Sequence, residues 1–400
     1  PLSRRDDRAN ASGDPHMSQT AGPLSGVLVL DLTRVLAGPY CTMVLADLGA
    51  RVIKIEPPRL GDDSRHIGPF VKGKSAYFMS INRNKESIAL DLKDESDRAV
   101  FEKLLGLGDV LVENYRGGTM EKLGYGWEAL HPRFPRLIYA AASGFGHSGP
   151  YRTRAAYDMV VQGMGGIMSL TGHPGSPPTR VGTSVGDITA GLFTAIGINA
   201  ALFERNRTGK GRKVDVAMLD CQIAILENAI ARYFSTGQVP GPLGARHPSI
   251  TPFEAFQTAD GWMIIAAGND QLFRKLAEAL SRPDLAANEL FATNELRTRH
   301  AGALKAEIEQ ALSAHGTAHW LSVIDAAGVP CGPINDVAQA LSDPQIVARN
   351  MVVSVDDPDV GRLNMAGNPI KLSDVADPQT RRAAPALDAD RERILRELGL

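Results

Sequence analysis

Three cysteines in 400 residues, Cys41, Cys221 and Cys331, are too few and too scattered for a disulfide framework or a paired-thiol metal site. Their scarcity fits a reducing cytoplasm. An excess of either charge is also missing. Lys and Arg number 43 against 45 Asp and Glu, a formal net charge of −2. Such a chain lacks the broad basic surface on which general nucleic-acid binding rests. Long hydrophobic runs are absent too. The longest apolar stretch, Ala190 to Phe203, is 14 residues and contains Gly191, Thr194, Gly197 and Asn199. A membrane span needs about 20 apolar residues, so this stretch reads as a buried helix. The nine histidines show no HExxH or other metal-ligand spacing, so no metal is expected. No apolar signal-peptide core is visible at the start.

What remains is ordinary globular material: 44% apolar and 22% charged residues, with 40 Gly and 25 Pro. The length suggests two or three domains of roughly 150 residues each. Residues 1–20 are polar and rich in turn formers, and Met17 after Pro15-His16 reads as a start behind a disordered, vector-derived leader. From Gly26 onward, short β-branched runs alternate with helical segments. Strands are predicted at Val27–Leu30, Arg51–Ile55, Ser87–Leu92, Asp109–Val112, Leu137–Ala142 and Lys213–Val216. Helices are predicted from Gly38 to Leu48, from Glu95 to Leu105, from Ile188 to Glu204 and from Leu219 to Tyr233. This alternation argues for an α/β layer with a mostly parallel sheet. Residues 237–252 carry four Pro and three Gly, the mark of a linker or site loop. A hairpin turning at Asp260-Gly261 and two helices follow. The organisation read from this is a large domain over 21–225, a small α+β domain over 226–329, and a return to the large domain over 330–400.

One motif misleads. Gly144-Phe-Gly146-His-Ser-Gly149 matches the dinucleotide fingerprint and follows a strand. That site needs a helix beginning at the glycines, so that its N-terminus faces the pyrophosphate. Here Pro150 comes next and helical patterning resumes only near Tyr157. No acidic residue ends a second strand about 20 residues on. A Gly-rich loop at the carboxyl end of a strand is the better reading, with a dinucleotide oxidoreductase the distant alternative.

Asp187, in Val185-Gly-Asp-Ile-Thr-Ala190, precedes the long apolar helix. Asp is a favoured N-cap, and a carboxylate at a helix N-terminus is expected to stay ionised. An ionised, pre-positioned carboxylate is also a competent covalent nucleophile. The two roles are compatible.

Several segments in order now carry a resemblance: Asp31-Leu-Thr-Arg-Val-Leu-Ala-Gly-Pro39, Gly49-Ala-Arg-Val-Ile-Lys-Ile-Glu56, Asn82-Arg-Asn-Lys85, Val112-Glu-Asn-Tyr-Arg-Gly117, Ser143-Gly-Phe-Gly146, Gly186-Asp187, Gly209-Lys-Gly-Arg-Lys-Val-Asp-Val216 and Val329-Pro-Cys-Gly-Pro-Ile334. The chain resembles the family III CoA-transferases, the superfamily of formyl-CoA transferase, carnitine CoA-transferase and α-methylacyl-CoA racemase. The resemblance implies a Rossmann-like large domain built from both chain ends, a smaller α+β domain, and an interlocked, ring-shaped homodimer. It implies CoA transfer between carboxylic acids through a mixed anhydride and an aspartyl-CoA thioester, with Asp187 catalytic. Nothing beyond CoA as co-substrate is needed, and neither nucleic acid nor membrane is a partner.

The CoA contacts implied are Leu36, Ala37, Leu90, Asp91, Lys93, Asn114, Tyr115, Arg116, Lys122, Tyr157 and Asp158. By itself, each of Lys93, Arg116 and Lys122 also reads as solvated surface charge. The transferases can carry Gln and Arg where this chain has Leu36 and Pro57, so Arg59 or Arg83 is expected to replace the missing nucleotide contact. The racemases place a His-Asp pair where this chain has Tyr157-Asp158, which favours transfer over α-carbon proton chemistry. Gly244-Ala-Arg-His-Pro248 holds Arg246 and His247, candidates for the second carboxylate of a dicarboxylic, succinate-like substrate or for a plain polar linker. A non-catalytic CoA-binding protein is the binding-module alternative.

Overall fold

The computed structural model describes residues 22–400, and the leader expected over 1–20 lies outside the described residues. Six strands form one parallel sheet: β1 (Leu28–Asp31), β2 (Arg51–Glu56), β3 (Lys85–Ala89), β4 (Val110–Glu113), β5 (Ile138–Ser143) and β6 (Lys213–Ala217). Their spatial order is β3-β2-β1-β4-β5-β6. Chain direction reverses its walk across the sheet between β1 and β4, which is where ligands bind in such folds. Leu28 pairs with Arg51 and Val29 with Val110, so the central strand is flanked on both sides. Most sheet residues are fully buried, as expected of a parallel sheet covered on both faces. Leu30, Ile53, Ile88, Phe101, Leu104, Leu111 and Tyr139 form the core of one face. Val29, Cys41, Leu45, Val52, Val110, Ile138 and Ile198 form that of the other.

The helices that matter for the site are α1 (Ala37–Asp47), α2 (Ala76–Ile81), α3 (Glu95–Leu107), α4 (Thr119–Leu123), α5 (Asp158–Met164), α6 (Val185–Thr208) and α7 (Met218–Ile225). The long helix α6 starts three residues earlier than the apolar pattern suggests, because polar Gly186 and Asp187 already lie in its first turn. By length and composition α6 could cross a membrane. In the fold, its Ala190, Ala195, Ile198, Ala201 and Leu202 are buried. The predicted Leu219–Tyr233 helix is broken after Ile225, where Glu227 takes a φ of 21°.

The chain forms two compact units. The first comprises residues 22–165, 182–225 and 345–400. Its last segment returns to the edge of the sheet. Ser87 and Ala89 of β3 donate backbone N–H bonds to the carboxylates of Asp390 (2.9 Å) and Asp388 (2.7 Å). An otherwise open strand edge is thereby covered. The second unit comprises residues 166–181 and 226–344. Its three-stranded antiparallel sheet contains the expected hairpin, with Trp262 opposite Gln257, and a third strand over Cys331–Pro333. Phe256, Met263, Phe273, Leu304, Ile308 and Trp320 fill its core. Residues 166–181 and 330–344, assigned to the large domain by sequence, fall in this unit. Gly244 donates to the carbonyl of Gly172 at 2.8 Å, which ties the first of these segments to the Pro/Gly-rich loop.

One close approach fixes the spacing of α1 and α6. A Cβ on Gly191 would lie 2.7 Å from the carbonyl oxygen of Ala37, a backbone atom with little room to yield. Gly191→Ala is therefore expected to destabilise the fold by about 1–3 kcal/mol through overpacking, despite the helix propensity it adds. Urea unfolding of the two proteins measures the difference.

Candidate active site

The site grows from charges inside the sheet. Asp31, Lys54 and Lys85 are fully buried, and Asp62 nearly so. Lys85 Nζ lies 3.1 Å from Asp31 Oδ2 and also donates to the Pro39 carbonyl and Asn82 Oδ1. Asp31 accepts further bonds from the Thr33 amide, Thr33 Oγ1 and Thr42 Oγ1. Lys54 Nζ pairs with Asp62 at 2.8 Å and donates to the Thr33 carbonyl. Asp62 accepts from the amides of Val35 and Ser64. Burial alone would raise the Asp31 pKa, but Lys85 and Lys54 hold it below the ordinary carboxylate range. Burial pushes Lys85 down to about 8, against the pull of Asp31.

The object of this network is the loop from β1 to α1. Asp31 binds Thr33, Lys54 binds Thr33, Asp62 binds Val35, and Lys85 binds Pro39. Val35 is held at a φ of 66°, a conformation that a β-branched residue rarely adopts. Asn114 adds a two-way clasp, accepting from Arg34 N–H (2.9 Å) and donating to its carbonyl (2.7 Å). The loop delivers the amide of Ala37, the first residue of α1, to the carboxylate of Asp187.

Asp187 is the third residue of α6, and the residue at the N-cap position is Ser184. The expected capping role falls to Asp158 instead. Its Oδ1 accepts the Gly186 amide at 2.8 Å, while Oδ2 accepts from Gln162 Nε2 at 2.7 Å. The expectation that Asp187 stays fully ionised is also corrected. Burial, followed by the negative charge of Asp158, raises its pKa to about 7, and the Ala37 amide only partly opposes them. Tyr77 is a site residue the sequence reading missed. Burial first, then Asp187, Asp62 and Asp158, push its hydroxyl up to about 12, so it remains a neutral donor beside these carboxylates.

The remaining expected residues sort by role. Leu36 packs among Val35, Tyr40, Met43, Tyr77 and Ile81, so only backbone or apolar contact is open to it. Leu90 is buried and donates its amide to the Glu56 carbonyl. Asp91 is exposed and turns onto the Lys93 amide, leaving the Lys93 ammonium in solvent. Asn114 is half-buried, and its side-chain amide is engaged by the backbone of Arg34. Tyr115 is half-buried beneath the Arg34 guanidinium. Arg116, Lys122 and Tyr157 are exposed, Tyr157 at 75%. Arg83 is corrected: it is 2% exposed and bound to Asp47 at 2.6 Å, so it is closed to a phosphate. Arg59 is exposed on the loop after β2. Leu36, Arg59, Leu90, Asp91, Lys93, Asn114, Tyr115, Arg116, Lys122 and Tyr157 follow the carboxyl ends of β1 to β5, whereas Arg83 precedes the amino end of β3. No helix begins at Gly144, Gly146 or Gly149, and the next helix is α5, so the dinucleotide reading fails on geometry. In the second unit, Arg246 is half-buried, and His247 Nδ1 accepts the Ser249 amide at 3.1 Å. That bond leaves His247 Nε2–H as the donor.

A sequence profile of CoA-transferase family III matches residues 24–391. An acetyl-CoA:oxalate CoA-transferase of Acetobacter aceti is 50% identical over 92% of this chain and 93% of its own length. A succinyl-CoA:glutarate CoA-transferase of Mus musculus is 40% identical over 88% of this chain and 81% of its own. Among solved structures, a CaiB/BaiF family protein from Brucella suis has a TM-score of 0.83 at 41% identity, covering 95% of this chain and 100% of that one.

The buried network and the surface charges should respond differently to mutation. Asp31→Asn leaves Lys85 and Lys54 short of a counter-charge in the core and is expected to remove about 3–5 kcal/mol of stability. Arg34→Ala, which removes an exposed pair with Asp63 and the guanidinium's contact with the Tyr115 ring, should cost no more than about 1 kcal/mol. Chemical denaturation of both variants checks the contrast.

Proposed function

The chain belongs to CoA-transferase family III, and from that premise we propose that Asp187 carries CoA between two carboxylic acids as a covalent thioester. The observation that supports this is the position of Asp187: a partly buried carboxylate on the first turn of α6, contacted by the Ala37 amide and raised to about 7. An anion just formed near neutral pH in a desolvated site is a stronger nucleophile than a solvated carboxylate.

The steps balance without an external reagent. Asp187 attacks the thioester carbonyl of the donor, forming a mixed anhydride and expelling CoA thiolate. The thiolate attacks the aspartyl carbonyl, giving the aspartyl-CoA thioester and the free donor acid. The acceptor carboxylate attacks that thioester, forming a second anhydride and again releasing thiolate. Attack of the thiolate on the acceptor carbonyl yields the new acyl-CoA and restores Asp187. Each step moves an acyl group between similar bonds, so the protein mainly positions groups and stabilises developing oxyanions. The Ala37 amide and the neutral Tyr77 hydroxyl are the donors suited to that charge. Around the CoA nucleotide, Arg59, Lys93, Arg116 and Lys122 supply cations, in place of the Arg that Pro57 does not provide.

The donor is read as succinyl-CoA or another dicarboxylyl-CoA, and the acceptor as a dicarboxylic acid. Relatives named for oxalate, glutarate and succinyl-CoA support this. Arg246 is half-buried and directly precedes His247, which offers one N–H. Together they suit a second carboxylate. A homodimer completes the reading. Phe193, Ile196 and Phe203 of α6 are exposed, Phe203 at 82%, an apolar stripe suited to a second copy.

The pH dependence tests the nucleophile. Its anion is the reactive form, so kcat/KM for the acyl-CoA should fall tenfold per unit below about pH 7 and level off above about pH 8. Asp158→Asn removes the like charge that helps raise Asp187 and should move this limb to lower pH. Asp187→Asn should fold normally and show no transfer. Retained transfer by that variant contradicts the proposal. For the acceptor, Arg246→Ala should raise KM for a dicarboxylate at least tenfold and leave that of a matched monocarboxylate unchanged.

A further inference from the structure

Gln222, on α7, is fully buried, and neither its Nε2 nor its Oε1 has a hydrogen-bond partner among the described residues. Buried amides are nearly always paired, because a desolvated donor and acceptor left open are unfavourable. The surroundings keep a slot for this one. A Cβ on Gly165 would fall 2.3 Å from Gln222 Cβ, so any other residue at 165 collides with it. A Cβ on Gly186 would lie 3.6 Å from Gln222 Nε2 and 3.0 Å from Asp158 Oδ1. The amide and the Asp158 carboxylate thus flank the residue that directly precedes Asp187. Asp158 meanwhile bonds the Gly186 amide and Gln162.

We propose that Gln222 is a positioning residue that acts through Asp158 on the α6 turn bearing Asp187, and that it is engaged in the covalent intermediates rather than in the free enzyme. The inference rests on Asp187 being the nucleophile. In the free enzyme Asp158 faces a second carboxylate. When Asp187 becomes an anhydride or a thioester, that like charge is gone and a bulky group pulls on the first turn of α6. A side-chain rotation then carries Gln222 Nε2 onto Asp158 Oδ1 and holds Asp158 and Gly186 in register. A donor that is unpaired at rest and paired along the reaction stabilises the later states selectively. Its loss appears in kcat and not in KM.

The test is Gln222→Met, which keeps the volume and removes the amide, assayed with succinyl-CoA and a dicarboxylate acceptor. The expected result is a kcat at least roughly tenfold lower with KM for the acyl-CoA within about twofold. In an Asp158→Asn background, which lacks the carboxylate anion, the same substitution should change kcat less than about twofold. A purely packing role would instead leave kcat unchanged and raise the thermal midpoint, or lower kcat equally in both backgrounds. Either result overturns the proposal. Gln222→Asn, which keeps an amide one methylene short, should reproduce the kcat loss even if the Met variant does not fold, and full activity in it is equally contradictory. Asp187→Asn is assayed alongside. Transfer by that variant removes the premise, whereas an inactive Asp187→Asn beside an unaffected Gln222→Met removes only this inference.

Discussion

A buried ion network, Asp31 with Lys85 and Lys54 with Asp62, is the constraint on which the site depends. Burying four charges is unfavourable unless each is paired and its remaining hydrogen-bonding groups are satisfied. Here those remaining bonds go to backbone atoms of the β1–α1 loop. The network thereby locks Thr33, Val35 and Pro39 into one conformation, including the left-handed backbone at Val35. An apolar core would fill the same volume but would not fix a loop through its amides and carbonyls.

The fixed loop presents the Ala37 amide to Asp187, and the close contact of Gly191 with Ala37 keeps α6 beside it. Two opposing effects then meet at one carboxylate. Desolvation and the neighbouring Asp158 raise its pKa, while a single amide donor lowers it. The balance near 7 leaves the carboxylate partly ionised at neutral pH and partly desolvated, the state that the proposed nucleophilic role calls for. Asp158 serves twice, as the acceptor for the first turn of α6 and as the like charge that tunes its neighbour. Gln162 supplies Asp158 with a further hydrogen-bond donor, at 2.7 Å from Oδ2.

Much of this was legible in the sequence. The six parallel strands came from short apolar runs spaced by helical segments, and the second unit's hairpin from Asp260-Gly261 between β-formers. Asp187 was identifiable because of its neighbours in the chain and the family resemblance. The network was visible only as an oddity: Lys54 in the middle of Val-Ile-Lys-Ile, Asp31 closing an apolar strand, Lys85 opening another. Charges inside strands that are buried on both faces signal a pairing, but sequence spacing does not say with which partner. Other features were beyond reach for the same reason. The cap of α6 comes from Asp158, 28 residues upstream of the amide it binds. Tyr77 comes within electrostatic influence of Asp187 through tertiary packing alone. Arg83 looks like a free cation until its pairing with Asp47 is seen.

The central claim is that CoA is held, during turnover, as a thioester of Asp187. The most direct measurement is rapid acid quench of the enzyme with succinyl-CoA, followed by proteolysis and mass spectrometry of the peptide spanning the start of α6. The account expects that peptide to gain the mass of CoA less one water, with fragmentation assigning it to Asp187 and hydroxylamine removing it. A CoA adduct on another residue, or an unmodified Asp187 peptide under conditions of active turnover, would contradict it.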